Sequence, residues 1–324
     1  MKIVFFGTPG FAAYNLQYLI DQNYQIDAVV TGLDKLRGRG KKKLPTEVKK
    51  TAIDNNIPVL QPQNLNDTSF IYKLNELKAD IFLVVAFKYL PEKIWRLPKI
   101  GSINLHTSLL PNYRGAAPIN RVLINGEKNT GITTFYLNKN IDQGNILKQK
   151  KIDISENMTA GQLHEKLKKE GAILIKDTFN DIISDSIFEK KQNSSKTLMA
   201  PKLTKEMLRI DWKQSALDIH NLVRGLSPYI SENKILKDVS ICPSAWFMIK
   251  EKNGVEKRVK LQLTTIKKSQ KKYNFKVETD NKTYLNIIIS EMLISLLQLQ
   301  VEGKKSISIH QFLNGYDLKS LEIL

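Results

Sequence analysis

The chain has 324 residues, with 50 Lys and Arg against 32 Asp and Glu, a formal net charge of +18. Hydrophobic residues make up 42% and charged residues 25%, which excludes a collagen-like, disulfide-scaffold or wholly disordered chain. The length is that of about two domains with room for a sizeable core. One cysteine, Cys242, excludes an internal disulfide and fits a reducing compartment.

The first half alternates strand-like and helix-like segments. Ile3–Phe6 is an apolar run that ends at Gly7-Thr8-Pro9-Gly10 and leads into a helical pattern through Phe11, Leu16, Leu19 and Ile20. It is too short for a signal peptide, and no stretch reaches the ~18 apolar residues of a membrane helix. A cytoplasmic protein without membrane association is therefore expected; a monomer is the separate expectation for its assembly. Ile26–Thr31 reads as a second strand, followed by a polar and basic stretch, Asp34–Lys50, then a helix-like piece and Ile57-Pro58-Val59-Leu60. Ile81–Phe87 is continuously apolar, as in a parallel strand buried on both faces. Ile103–His106, Gly131–Leu137 and Ile146–Ile154 read as further strands, and Thr159–Ser184 as a helix. This alternation predicts a doubly wound α/β domain over residues 1–188.

A polar linker is expected over 189–208, and from 209 to 324 the character changes. Ser215–Leu226 has a helical stripe at Leu217, Leu222 and Leu226. Ala245–Lys250, Val259–Lys267, Tyr273–Glu278, Tyr284–Ser290 and Ile294–Val301 are β-like, predicting a small barrel or sandwich.

Two readings of the charge stay open at this point. A +18 chain attracts polyanions such as nucleic acid. Yet 42 of the 50 basic residues are Lys and only 8 Arg, as compositional drift in an AT-biased genome would give.

Chemistry-bearing motifs are few. Gly7-Thr8-Pro9-Gly10 lies where a dinucleotide loop would, but lacks both G-x-G-x-x-G and a Walker lysine, so a plain turn is the better reading. The four His residues are isolated and Cys242 has no partner in spacing, so no metal is expected. The densest segment is Gly101–Asn120. Asn104 and His106, two apart in a strand, project to one face at its carboxyl end, where α/β sheets place ligands. A satisfied core imidazole is the alternative for His106. Asp142, before Gly144 in a polar loop, either caps a turn or serves as a carboxylate that orients an imidazole. Asn, His and Asp without a Ser or Cys nucleophile suit acyl transfer to an amine brought by the substrate. The Asn amide and the imidazolium would donate to a tetrahedral oxyanion while a proton leaves the amine.

Ser108-Leu109-Leu110-Pro111-Asn112-Tyr113-Arg114-Gly115-Ala116-Ala117-Pro118-Ile119, preceded by Asn104-Leu105-His106, closely resembles the signature of formyltransferases that use 10-formyltetrahydrofolate. Phe6-Gly7-Thr8-Pro9, Asp142-Gln143-Gly144 and Ile210-Asp211-Trp212 extend the likeness over nearly the whole chain. Within that superfamily the match is to the methionyl-tRNA formyltransferase family. The resemblance implies a Rossmann-like catalytic domain, a C-terminal OB-like barrel that binds tRNA, and the initiator Met-tRNA as acceptor. It implies catalytic roles for Asn104, His106 and Asp142, and folate contacts from Phe87, Ser108, Leu109, Leu110, Pro111 and Ile141.

Eight of the residues from Lys35 to Lys50 are basic and one, Glu47, is acidic. A solvated loop is the bland reading, but Arg-Gly-Arg-Gly-Lys-Lys supplies cations that pair with phosphates. By resemblance it is the family's tRNA-contacting loop, with Arg37, Arg39, Lys41, Lys42 and Lys43 as contacts. Formyltransferases acting on amino sugar nucleotides share the SLLP-x-YRG string and a second domain, and remain the alternative. A non-catalytic RNA-binding descendant is a third reading, opposed by the intact Asn104, His106 and Asp142. The sequence departs from the family at Ala86-Phe87-Lys88 and at Asn140-Ile141-Asp142-Gln143-Gly144, both beside the inferred folate site.

Overall fold

Apolar runs and helical stripes become, in chain order, β1 (Ile3–Gly7), α1 (Gly10–Asp21), β2 (Ile26–Val30), β3 (Lys35–Arg37), β4 (Lys42–Leu44), α2 (Glu47–Asp54), β5 (Val59–Leu60) and α3 (Thr68–Glu76). There follow β6 (Ile81–Val85), α4 (Glu92–Trp95), β7 (Gly101–His106), α5 (Pro118–Ile124), β8 (Asn129–Tyr136), β9 (Ile146–Asp153) and α6 (Ala160–Ile183). The remainder forms α7 (Ala216–Leu226), β10 (Tyr229–Ser231), β11 (Lys234–Ile235), β12 (Ala245–Glu251), β13 (Glu256–Thr279), β14 (Leu285–Val301), β15 (Ile307–Ser308), α8 (Ile309–Gly315) and β16 (Leu321–Ile323). The computed structural model describes residues 1–37, 42–193, 197–232, 234–237, 241–316, 318 and 321–324. The chain divides into two units. Met1–Gly115, Thr130–Ile152 and Lys166–Met199 make one, and Ala116–Asn129, Asp153–Glu165 and Ala200–Leu324 the other.

In the first unit the described strands run in the order β5-β2-β1-β6-β7-β8-β9. From β5 to β7 all neighbours are parallel, while β8 is antiparallel to β7. This is the expected doubly wound, mostly parallel sheet. Every residue of β1 and β6 is buried, which is why both read as unbroken apolar runs. Phe70 and Leu74 of α3 pack with Val4, Phe6, Phe82 and Val84 on one face. Strand order reverses between β1 and β6, creating the crevice at which such sheets bind ligands. Gly7, Val85 and Leu105 stand side by side, so the carboxyl ends of β1, β6 and β7 open together at that crevice.

Two expectations for this unit need correction. The strand from Ile81 stops at Val85, because Ala86 takes a left-handed φ of 47° and turns the chain out of the sheet. The basic stretch does not run as loop to Lys50. β3 and β4 form an antiparallel ribbon, and Thr46 caps α2 by accepting from the Lys49 amide. The Thr–Glu start of a helix was masked by lysines around it. Lys49 is also committed to Asp34 at 2.7 Å, and so is no free cation. The polar segment after α6 is tied into this unit. Lys190 and Ile146 exchange two 2.8 Å backbone bonds, and Tyr113 N–H donates to Leu198 O at 2.6 Å.

The second unit holds a five-stranded antiparallel sheet among the described residues, in the order β15-β14-β13-β12-β16. Four expected short strands merge here into β13 and β14, of 24 and 17 residues. The break expected between Lys267 and Tyr273 is a bulge, because pairing jumps from Lys268–Met292 to Tyr273–Ser290 and residues 269–272 stand opposite Glu291 alone. The true turn is at Asp280, whose carboxylate accepts from the Lys282, Thr283 and Tyr284 amides and the Thr283 hydroxyl. The Thr283 hydroxyl and these N–H groups hold that carboxyl well below the usual range.

Ser215 caps α7, and Ile219, Val223 and Leu226 bury against Phe247, Leu261, Leu296 and Leu299. At ~1.5–3 kcal/mol for each fully buried aliphatic side chain, this face anchors the helix. Leu217, expected on that stripe, is 50% exposed, and Ile219 takes its place.

Candidate functional site

β7 ends at His106, and strand alternation brings the Asn104 and His106 side chains to the same face. Among the described residues the Asn104 amide has no hydrogen-bond partner and is half-buried, whereas His106 is buried. The segment after the strand holds itself by its own polar groups. Ser108 Oγ donates to Asn112 O at 2.6 Å, Thr133 Oγ1 donates to Ser108 O at 2.7 Å, and Gln149 Nε2 donates to Leu110 O at 2.8 Å. Tyr113 takes a φ of 60° and directs its carbonyl at the imidazole, 2.9 Å from His106 Nε2.

A carbonyl only accepts, so Nε2 carries the proton. This leaves Nδ1 as the uncommitted nitrogen. It faces Asp142 Oδ2 at 3.8 Å, close enough to stabilise an imidazolium and too far to occupy the nitrogen as a hydrogen bond. Asp142 itself has a φ of 55°, and its Oδ2 accepts from the Gly115 amide at 2.9 Å. Gly144, two residues on, has no room for a side chain, since a Cβ would lie 1.6 Å from Tyr136 O. Gln192 fixes the rest of the loop, with its Nε2 donating to Asp142 O at 2.9 Å and Gly144 O at 2.8 Å. The Gln192 carbonyl in turn accepts from Arg114 Nε at 3.1 Å and Nη2 at 2.6 Å. Burial pulls the Arg114 guanidinium down from its ordinary value, against the opposing pull of the Asp142 charge.

The structure thus unites His106 and Asp142, with Asn104 on the same strand face. An amide donor, an imidazole with one free nitrogen and a carboxylate behind it can bind a developing oxyanion and receive a proton. The residues read for folate divide into two groups. Ser108 and Leu110 are buried, with the Ser108 hydroxyl spent on the turn and Leu110 packed on Phe135 and Ile146. Leu109 and Pro111 are half-buried. Phe87, at the end of β6, stands edge-on to Phe6 with centroids 5.7 Å apart, and Ile141 is 63% exposed beside Asp142. An open apolar side chain next to the Asp142 carboxylate, and an aromatic ring at the switch-point crevice, suit a flat aromatic ligand such as a pterin.

Of the basic residues read for RNA, Arg39 and Lys41 lie outside the described residues, and only the backbone of Arg37, Lys42 and Lys43 is described, in the β3–β4 ribbon. Sequence reasoning missed Gln192, which lies in a polar segment with no periodicity to mark it. It also missed the tasks of Arg114 and the Tyr113 carbonyl, although both lie within the signature string. Among the described residues no three His, Cys, Asp or Glu converge as metal ligands, and no helix is long and apolar enough to cross a membrane.

A model of the formyl transferase family matches residues 1–178, and one of the formyl transferase C-terminal domain matches residues 202–317. The chain belongs to the formyl transferase family. Methionyl-tRNA formyltransferase of Flavobacterium johnsoniae is 40% identical over 318 residues, covering 97% of this chain and 96% of the relative. That of Clostridioides difficile is 41% identical over 321 residues, covering 99% and 98%. Solved structures share the fold. The sugar 3N-formyl transferase WlaRD, crystallised with dTDP and 5-N-formyl-THF, superposes with a TM-score of 0.63 at 23% identity, covering 94% of this chain and 99% of its own. HypX from Aquifex aeolicus in complex with tetrahydrofolic acid gives a TM-score of 0.61 at 14% identity, covering 96% of this chain and 46% of its own.

Proposed function

We propose that this formyl transferase transfers the formyl group of 10-formyltetrahydrofolate to the α-amine of methionine on initiator Met-tRNA, the step that prepares that tRNA for translation initiation. The observation that carries the reading is the His106–Asp142 pair at 3.8 Å with its free Nδ1, in a chain that aligns end to end with methionyl-tRNA formyltransferases. Asn104 donates its amide N–H to the formyl oxygen as the carbon becomes tetrahedral. His106 receives at Nδ1 the proton that the attacking amine loses when the new C–N bond forms. It returns that proton to the folate N10 as the old C–N bond breaks, so the ring ends as it began. Asp142 stabilises the intervening imidazolium and leaves no covalent mark.

Phe87, Leu109, Pro111 and Ile141 form the apolar wall for the folate, while Ser108 and Leu110 act from beneath by shaping the turn. Residues 1–188 carry the chemistry, 189–208 connect, and 209–324 with the basic segment of Arg37, Arg39, Lys41, Lys42 and Lys43 hold the tRNA. The enzyme acts as a cytoplasmic monomer without a metal. Incubation with Met-tRNA and 10-formyltetrahydrofolate should yield formyl-methionine on hydrolysis. Formylation of an amino sugar nucleotide, with Met-tRNA left untouched, would replace this reading by the sugar-nucleotide one.

A further inference from the structure

Residues 190–193 and 197–199 are described parts of the stretch expected as a linker, yet they bond to both loops of the His106–Asp142 pair. Gln192, 9% exposed, donates to the Asp142 and Gly144 carbonyls and accepts from the Arg114 guanidinium. Farther along, Leu198 N–H donates to Asn112 Oδ1 at 3.2 Å, and Leu198 O accepts from Tyr113 N–H at 2.6 Å. Met199 continues the contact as a parallel bridge to Arg114. Asn112 stands at the open position of the SLLP-x-YRG string, so the resemblance assigns it no role.

These bonds act on opposite sides of one imidazole. Tyr113 is held at its N–H by Leu198, and its carbonyl accepts from His106 Nε2 at 2.9 Å. Across the ring, Asp142 Oδ2 stands 3.8 Å from Nδ1. Were that carboxylate to come within hydrogen-bond distance, it would accept from an Nδ1–H. A neutral imidazole has a single N–H, and its position follows the better acceptor. With the proton on Nδ1, that nitrogen could not receive the proton of the attacking amine. Gln192, with the Gly115 amide on Oδ2, holds the Asp142 loop, while Asn112 and Leu198 hold the Tyr113 carbonyl. One segment therefore sets both distances. We infer that it is a strap that fixes the His106 tautomer, with Gln192 and Asn112 as positioning residues. The kinetic half of this inference rests on the proposed formyl transfer through Nδ1, and the tautomer half stands without it.

The test is nitrogen NMR of the full chain carrying isotope-labelled histidine, at about pH 8, where an ordinary imidazole is neutral. His106→Gln identifies the His106 signals among the four histidines. The unsubstituted chain should show Nε2 protonated and Nδ1 bare. Asn112 is exposed, so its substitution leaves the core untouched. Asn112→Leu deletes the acceptor, and the Nδ1–H form should appear. Its kcat with Met-tRNA should fall about two- to tenfold, the span of one net hydrogen bond, with both KM values unchanged. Asn112→Asp keeps an acceptor oxygen and should recover tautomer and rate together. Gln192→Leu should shift the tautomer the same way, and the double variant should lose less than the product of the two single losses. An unmoved tautomer in either single variant, or losses that simply multiply, would overturn the inference. Failure of the unsubstituted chain to formylate Met-tRNA would remove the functional reading, while the nitrogen spectra would still decide the strap.

Discussion

At the scale of single residues, the site depends on side chains whose backbone has been forced into uncommon shapes. Tyr113 and Asp142 both lie at positive φ, so the carbonyl that fixes the His106 tautomer and the carboxylate behind it are held by the surroundings. In the proposed reaction, His106→Ala and Asp142→Ala should abolish formyl transfer in a single-turnover assay while tRNA binding persists. Asn104→Ala should slow it by on the order of a hundredfold or more, the usual loss on deleting one oxyanion donor. Full activity in all three variants would remove these residues from the mechanism. Gln192 acts through Asp142. Gln192→Leu strips donors from the Asp142 and Gly144 carbonyls and the acceptor from Arg114. Leaving such buried groups unpaired costs about 1–3 kcal/mol each. We expect kcat to fall with the KM for tRNA unchanged, and the deficit to persist well below the melting temperature, where a merely structural loss would have been made good.

Elements impose their own constraints. Gly225 of α7 lies so close to α5 that a Cβ would stand 2.7 Å from Ile124 Cγ1 and 3.2 Å from its backbone nitrogen. Gly225→Ala should therefore destabilise the second unit by about 1–3 kcal/mol in denaturant titration, as overpacking does. The same helix carries fully buried His220, whose Nε2 donates to Glu156 O and whose Nδ1 accepts from the Thr264 hydroxyl. Burial, reinforced by the Arg224 charge and opposed by the Glu156 carbonyl and charge, pushes this imidazole below its ordinary value. Since the unfolded chain binds the proton first, neutral His220 stabilises fully above about pH 6.5, and that stability is lost as pH falls towards the folded value. Melting temperature should drop on acidification below about pH 6.5, and His220→Gln should flatten that part of the profile; an unaltered slope would exclude His220 as its source.

For the whole molecule, the charge is spread along the chain. Residues 1–201 carry 29 basic and 19 acidic side chains, and residues 202–324 carry 21 and 13, so neither half holds the excess alone. Several of these cations are spent internally: Lys49 on Asp34, Lys148 on Asp181 and Lys150 on Glu170. What counts for a tRNA is placement. In the proposed function, the KM for Met-tRNA should rise steeply with ionic strength, whereas that for the folate should move little. Arg39→Ala should raise the tRNA KM without altering folate affinity; unchanged tRNA kinetics would strike Arg39 from the contact set.

Much of this was legible in one dimension. The apolar runs of β1 and β6 and the Asn-x-His at the end of β7 follow from local period and residue type, and the signature string was legible by resemblance. Strand alternation needs only neighbouring residues to place Asn104 beside His106. What the sequence left undetermined depends on groups far apart in the chain. Arg114 and Gln192 are 78 residues apart, and neither residue type announces the bond that steadies the Asp142 loop. The merging of four short runs into two long strands was equally hidden, because a bulge of four polar residues has the composition of a turn. The +18 behaved likewise. Composition set its size, but only tertiary contacts brought Arg209 and Arg258, two of eight arginines, to the Trp246 ring. Sequence determines what each segment can bury and which chemistry it can supply; tertiary contacts alone decide which backbone carbonyl, amide or guanidinium meets it, because those partners are chosen by packing in space.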